Sequence, residues 1–232
     1  MLQLNPAIDS GYSSEMNTSP ESLKASLKSR SINGPLATRL HRAISWLSSA
    51  NESDSDDLRF ITLWIAFSAC LGVADEQHTK LGERSLFQLF IRRLISRDEQ
   101  KLVESVIWNT YPNAVASLLE NPYVMQEFWE HQRDNNPEWD AVLTRQRLRA
   151  SRYFTEREGA KILGLVLDRL SVLRNQIMFG GATFKSSVNR SQVSEGALLL
   201  EELVPAVISV MLQSADDDWG QIYYPVMSQL AE

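Results

Sequence analysis

Ile162, Val166, Leu170, Leu173 and Ile177 fall three or four residues apart, and Gly180-Gly181 ends the pattern. That spacing puts all five side chains on one face of an α-helix, and glycine supplies a left-handed stop that other residues adopt only with strain. The same period recurs along most of the chain. Leu36, Leu40, Ala43, Ile44 and Leu47 predict a first amphipathic helix ending near Ala50, and Leu58 to Val73 is an apolar run too long for a strand. Leu86, Phe87, Phe90, Ile91, Leu94 and Ile95 mark another helix, after which Asp98 can cap a segment through Leu102, Val106 and Ile107 that Pro112 interrupts. Shorter pieces follow around Ala114 to Leu119 and after Asn121-Pro122, then an Arg-rich helix over about Glu138 to Arg152. Thr155-Glu-Arg-Glu158 has the spacing of a capping box for the Ile162 helix, and Ser191 can cap a last helix from Val193 to Met211. No alternating run, repeat or heptad seam occurs. The expected fold class is all-α, an antiparallel helical bundle whose last two long helices pack against each other.

Residues 1–35 are Ser-rich, with three prolines, two glycines and little periodicity, and read as a flexible N-terminal arm in which Leu23 and Leu27 can form one amphipathic turn. Residues 36–213 form the helical domain. The aromatic tail 214–232, with Trp219, Tyr223 and Tyr224, is expected to dock on the domain or on a second copy. A lone cysteine, Cys70, sits in the apolar run and reads as a small buried hydrophobe, so neither a disulfide nor a Cys-based metal site is expected. No cofactor is implied, and neither terminus nor interior carries a run long enough to span a bilayer, which makes a cytoplasmic protein the simplest expectation.

The net charge is −6, which argues against indiscriminate binding of nucleic acid. Charge is uneven, however. From Arg145 to Arg190 there are ten basic residues and three acidic ones, a local excess of seven, enough to hold a polyanion if the cations share a surface and unremarkable if they line separate solvated helix faces.

Arg174-Asn175 lies beside the apolar stripe, one turn after Leu170 and just before the glycine stop. An isolated arginine there can simply pair with a carboxylate. Taken with the long helix before it and the long helix after it, the segment Leu173-Arg-Asn-Gln-Ile-Met-Phe-Gly-Gly-Ala-Thr183 resembles the signature of HEPN domains, as do Arg39-Leu-His-Arg-Ala-Ile-Ser-Trp-Leu47 and Phe60-Ile-Thr-Leu-Trp-Ile-Ala-Phe67. The resemblance is to a bacterial branch of the family and spans about residues 36–213.

In that family the resemblance implies a homodimer with facing signature helices, RNA as ligand, a role in bacterial defence or toxin systems, room for a protein partner encoded nearby, and metal-independent cleavage in which Arg binds phosphate and His moves protons. Carried onto this chain, Arg174 would bind phosphate, Asn175 would orient it, and Phe179 would stand where the family has His. A phenyl ring cannot transfer a proton, a step that is typically worth ~10² to 10⁴ in rate, so weak or absent cleavage is expected. Arg169, Phe184, Lys185 and Arg190 are the further residues expected to touch RNA, the aromatic rings by stacking. His41, His78 and His131 read as structural or surface residues, and none has a partner at metal-ligand spacing. Trp46, Trp64, Phe67, Phe87, Phe90, Phe128 and Trp129 read as packing residues. A competing reading keeps the dimer and discards the chemistry, with Phe179 making an apolar contact in a non-catalytic interaction module.

Overall fold

The computed structural model describes residues 18–72, 75–110, 112–135, 137–222 and 224–226, the side chains of 75–81 excepted. Among them are ten α-helices and no strand: α1 (Pro20–Ser29), α2 (Gly34–Asn51), α3 (Asp56–Leu71), α4 (Asp75–Ile95), α5 (Leu102–Ser105), α6 (Pro112–Glu120), α7 (Gln126–Asp134), α8 (Trp139–Thr155), α9 (Gly159–Met178) and α10 (Arg190–Gln213). No helix of the described residues is long and apolar enough to cross a membrane. Helix α3 forms the centre. Phe60, Leu63, Phe67 and Cys70 are almost wholly buried there, between α2 on one side and α10 on the other. Burial lifts the Cys70 thiol to about 12, which keeps it protonated and inert.

Close approach of α10 depends on a missing side chain. A Cβ at Gly196 would stand 3.0 Å from the Phe60 ring and 3.1 Å from a Leu170 methyl, so α3, α9 and α10 meet at this residue. The packing differs from the expected pairing of the last two helices: α10 lays most of its buried face on α3, and α9 packs instead against α4 and α8. The reason is composition. Helix α10 is apolar around most of its girth, with sixteen buried residues, and α3 offers the wider aromatic face.

Three boundaries also differ from expectation. Pro20–Ser29 is a helix rather than a single turn in the arm, capped where Ser19 Oγ accepts from the Ser22 amide at 3.2 Å and anchored by Leu23, which is 3% exposed. Thr155 ends α8 instead of opening α9, because Phe154 packs edge-on against Trp108 and carries the helix onward; Arg157, in a left-handed conformation, then turns the chain. Asn189, not Ser191, precedes α10, and no side chain caps that helix. Asp98 does cap α5, accepting from the Leu102 and Val103 amides at 2.7 and 2.8 Å.

Beyond α10 the chain crosses back over the core. Trp219 is buried beside Phe90, and the Arg39 guanidinium, 2% exposed, donates to the carbonyls of Trp219 at 2.6 Å, Gln221 at 2.7 Å and Gly72 at 3.0 Å. Residues 1–17 of the expected arm, 227–232 of the tail and the His78 side chain lie outside the described residues.

Candidate functional site

The last turns of α9 carry the residues singled out from sequence. Arg174 Nη2 donates to both oxygens of Glu83 in α4, at 2.6 and 2.7 Å, and its guanidinium carbon lies 5.0 Å from the Trp64 ring centroid. Carboxylate and indole together fix the plane of the guanidinium, since the ring face attracts the cation while the carboxylate holds one end of it. About a fifth of the side chain remains accessible, and Nη1 has no bond among the described residues. The site therefore presents an oriented half of a guanidinium, with the other half neutralised.

Asn175, one residue on, lines a cleft of about 330 Å3 between α4, α7, α8 and α9. Three acids, Glu83, Glu127 and Asp168, and two arginines, Arg84 and Arg169, line the same cleft. Arg169 is 5% exposed and directs Nη2 to Gln146 Oε1 at 2.6 Å, and Gln146 passes the interaction on to Glu127 at 3.0 Å. Nη2 is committed to that relay while the buried Nε finds no partner among the described residues, and burial lowers the guanidinium pKa to about 10. Asp168 pairs with Arg84 at 2.8 Å, yet burial outweighs the attraction of Arg84 and raises the carboxyl to about 6.

Phe179 closes α9 with its ring turned outward, 83% exposed, next to Met178 at 58%. Gly180 then takes a left-handed φ of 71°, and Gly181 passes so close to the chain that a Cβ would lie 3.2 Å from the Gln176 carbonyl. The Ala182 amide donates to that same carbonyl at 3.1 Å, which folds the loop back onto the helix end. Two further apolar side chains, Phe184 and Val188, are exposed on this loop, and the Lys185 ammonium sits 5.4 Å over the Phe184 ring. Arg190 lies elsewhere, tying α10 to α3 through Asp57 at 2.7 Å.

Compared with family models, with curated proteins and with solved structures, the chain gives no match to any of them. The site has to be judged on its own chemistry. It brings Arg174, Asn175 and Phe179 to one helix end with Phe184 and Lys185 on the adjoining loop, and it engages Arg169 and Arg190 in internal contacts. Neither His41 nor His131 lines the Asn175 cleft: His41 borders a groove between α1 and α2, and His131 stacks on Trp139. No cluster of three metal-ligating side chains occurs among the described residues. Glu83 and Trp64, which set the Arg174 geometry, were not among the sequence candidates, because a contact spanning 91 residues leaves no local signal.

The aromatic residues divide. Trp64, Phe67, Phe87 and Phe90 form a buried edge-to-face cluster, as their spacing predicts, whereas Trp46 and Trp129 are each 40% exposed. Trp129 belongs to a surface group in which Phe128 meets Tyr123, Trp129 and Trp139 at 5.2 Å each. Gln176 Nε2 donates to the Tyr123 carbonyl at 2.7 Å, so this aromatic group adjoins the end of α9.

Proposed function

We propose that this chain is a HEPN-type helical protein that acts as a homodimer and holds RNA at the end of α9 with little or no cleavage. The observation that carries the reading is the Arg174 geometry: a guanidinium held flat by Glu83 and Trp64, beside Asn175, with one nitrogen left for a phosphate oxygen. Arginine suits that task because its fork is planar and always charged. The family's proton carrier is what the site lacks, since the position of its His holds an exposed phenyl ring and the raised carboxyl nearby, Asp168, is paired with Arg84. The family's attack by a ribose 2′-hydroxyl needs a group to take its proton and another to protonate the leaving oxygen.

The exposed apolar side chains Met178, Phe179, Phe184 and Val188 favour a covered surface, either by a second protomer or by unpaired bases. If the cover is purely a second protomer, the chain is an interaction module without RNA chemistry. Incubating the protein, its Phe179→His variant and its Arg174→Ala variant with single-stranded RNA in a chelator separates the readings. The proposal expects binding without turnover by the natural chain, cleavage by Phe179→His, and loss of binding in Arg174→Ala. Silence from all three in binding and cleavage alike favours the interaction module.

A further inference from the structure

A second cleft opens on the other side of the Arg84–Asp168 pair, and its chemistry is different. It has a volume of about 380 Å3 and is lined by Arg84 and Arg92 of α4, Arg149 and Tyr153 of α8, and Lys161 of α9. Glu158 and Asp168 are its acids, and each already has a cation: Lys161 holds Glu158 at 2.8 Å and Arg84 holds Asp168 at 2.8 Å. Arg92 and Arg149 are exposed, project from different helices into one groove, and make no ion pair among the described residues. Two like charges brought together without counter-charge raise the local potential and favour an anion.

Two more features point the same way. Tyr153 is partly buried against the core and gathers two cations on its ring, the Lys161 ammonium 5.0 Å and the Arg152 guanidinium 5.3 Å from its centroid. Helix α9 begins at this groove with no acid in its first turn, and the Glu158 carboxylate that precedes it is paired with Lys161, so the amide end adds positive potential. Cations along a concave path suit the phosphates of a nucleic-acid strand.

We infer that the α4–α8–α9 groove is a second RNA contact, in which Arg92 and Arg149 hold backbone phosphates of a single strand. The groove shares Arg84, Leu165 and Asp168 with the cleft that Asn175 lines, so a strand lying along α9 from Asn175 to Lys161 would cover about 21 Å at the helical rise. The identity of the ligand rests on the RNA reading above; the place of contact rests on the groove.

Fluorescence anisotropy with a labelled single-stranded oligoribonucleotide of about a dozen nucleotides tests it. Arg92→Glu/Arg149→Glu is expected to weaken binding at least roughly tenfold and to flatten the dependence of log affinity on log salt by about 1.4, while Lys24→Glu/Lys28→Glu on α1, with the same change in net charge, weakens it far less. Both pairs are exposed, so the fold should be retained, as circular dichroism can verify. Equal weakening by the two double variants, unchanged affinity in Arg92→Glu/Arg149→Glu, or equal affinity for a fully paired duplex overturns the inference. Parallel measurement of Arg174→Ala separates the failures. Loss there with an unaffected groove variant removes only the second contact, loss in the groove variant alone removes only the Arg174 site, and no binding by the natural chain removes both.

Discussion

On the proposed reading, Arg174 meets a structural and a ligand-binding demand together. Its pairing with Glu83 is partly open to water, with side chains 22% and 34% exposed, and worth about 1 kcal/mol, and the contact with Trp64 adds a comparable amount, so Arg174→Ala should lower stability by about 2 kcal/mol. RNA affinity should fall much further, and thermal denaturation beside a binding titration reads both. Asp168 makes a pH prediction. Its carboxyl titrates near 6 in the folded protein, above its ordinary value of 3.8, because of burial. A raised carboxyl destabilises the fold when ionised: the penalty is full above pH 6 and is relieved as pH falls towards 4. Asp168→Asn removes that dependence, so its stability relative to the natural chain should be highest above pH 6 and should decline between 6 and 4. Urea denaturation at stepped pH checks the sign, and a difference that stays flat across this window contradicts the burial argument.

At the scale of elements, close contacts and buried polar groups decide what can change. Gly196→Val would drive a side chain into Phe60 and Leu170 where α3, α9 and α10 meet, at a cost of about 1–3 kcal/mol in unfolding free energy. Arg39→Met would leave the Trp219 and Gln221 carbonyls without their buried donor and is expected to cost about 2–4 kcal/mol and to expose Trp219, readable as a red shift of its fluorescence. The helices themselves were largely legible in the sequence, since the apolar period of α2, α3, α9 and α10 comes from which residues must leave water. What was not legible came from contacts distant in sequence. The Thr155–Glu158 pattern has the right local chemistry for a cap, but the packing of Phe154 on Trp108 extends α8 past it. Arg169 and Arg190 carry the charge expected of RNA contacts, yet Gln146 and Asp57, both remote in sequence, engage them. Phe179, two residues past the apolar stripe that ends at Ile177, is left outside where the helix ends.

For the whole molecule, the excess of basic residues between Arg145 and Arg190 resolves into separate surfaces. Arg157 covers Trp108, Arg147 donates to the Glu120 carbonyl, and Arg149 and Lys161 join Arg84 and Arg92 between α4, α8 and α9. A negatively charged protein can therefore offer one positive groove. The apolar lip at Phe179 is the other feature left uncovered among the described residues, and a homodimer closed across it should be weakened by Phe179→Asp, with light scattering reporting a shift towards monomer. The central proposal is that the site binds RNA and lacks only the histidine of the family it resembles. Its most direct test is the cleavage of single-stranded RNA in chelator by the natural chain and by Phe179→His, each assayed at a concentration where binding has been shown. The account predicts intact RNA with the natural chain and metal-independent cleavage with the variant; efficient cleavage by the natural chain, abolished by Arg174→Ala, would contradict it.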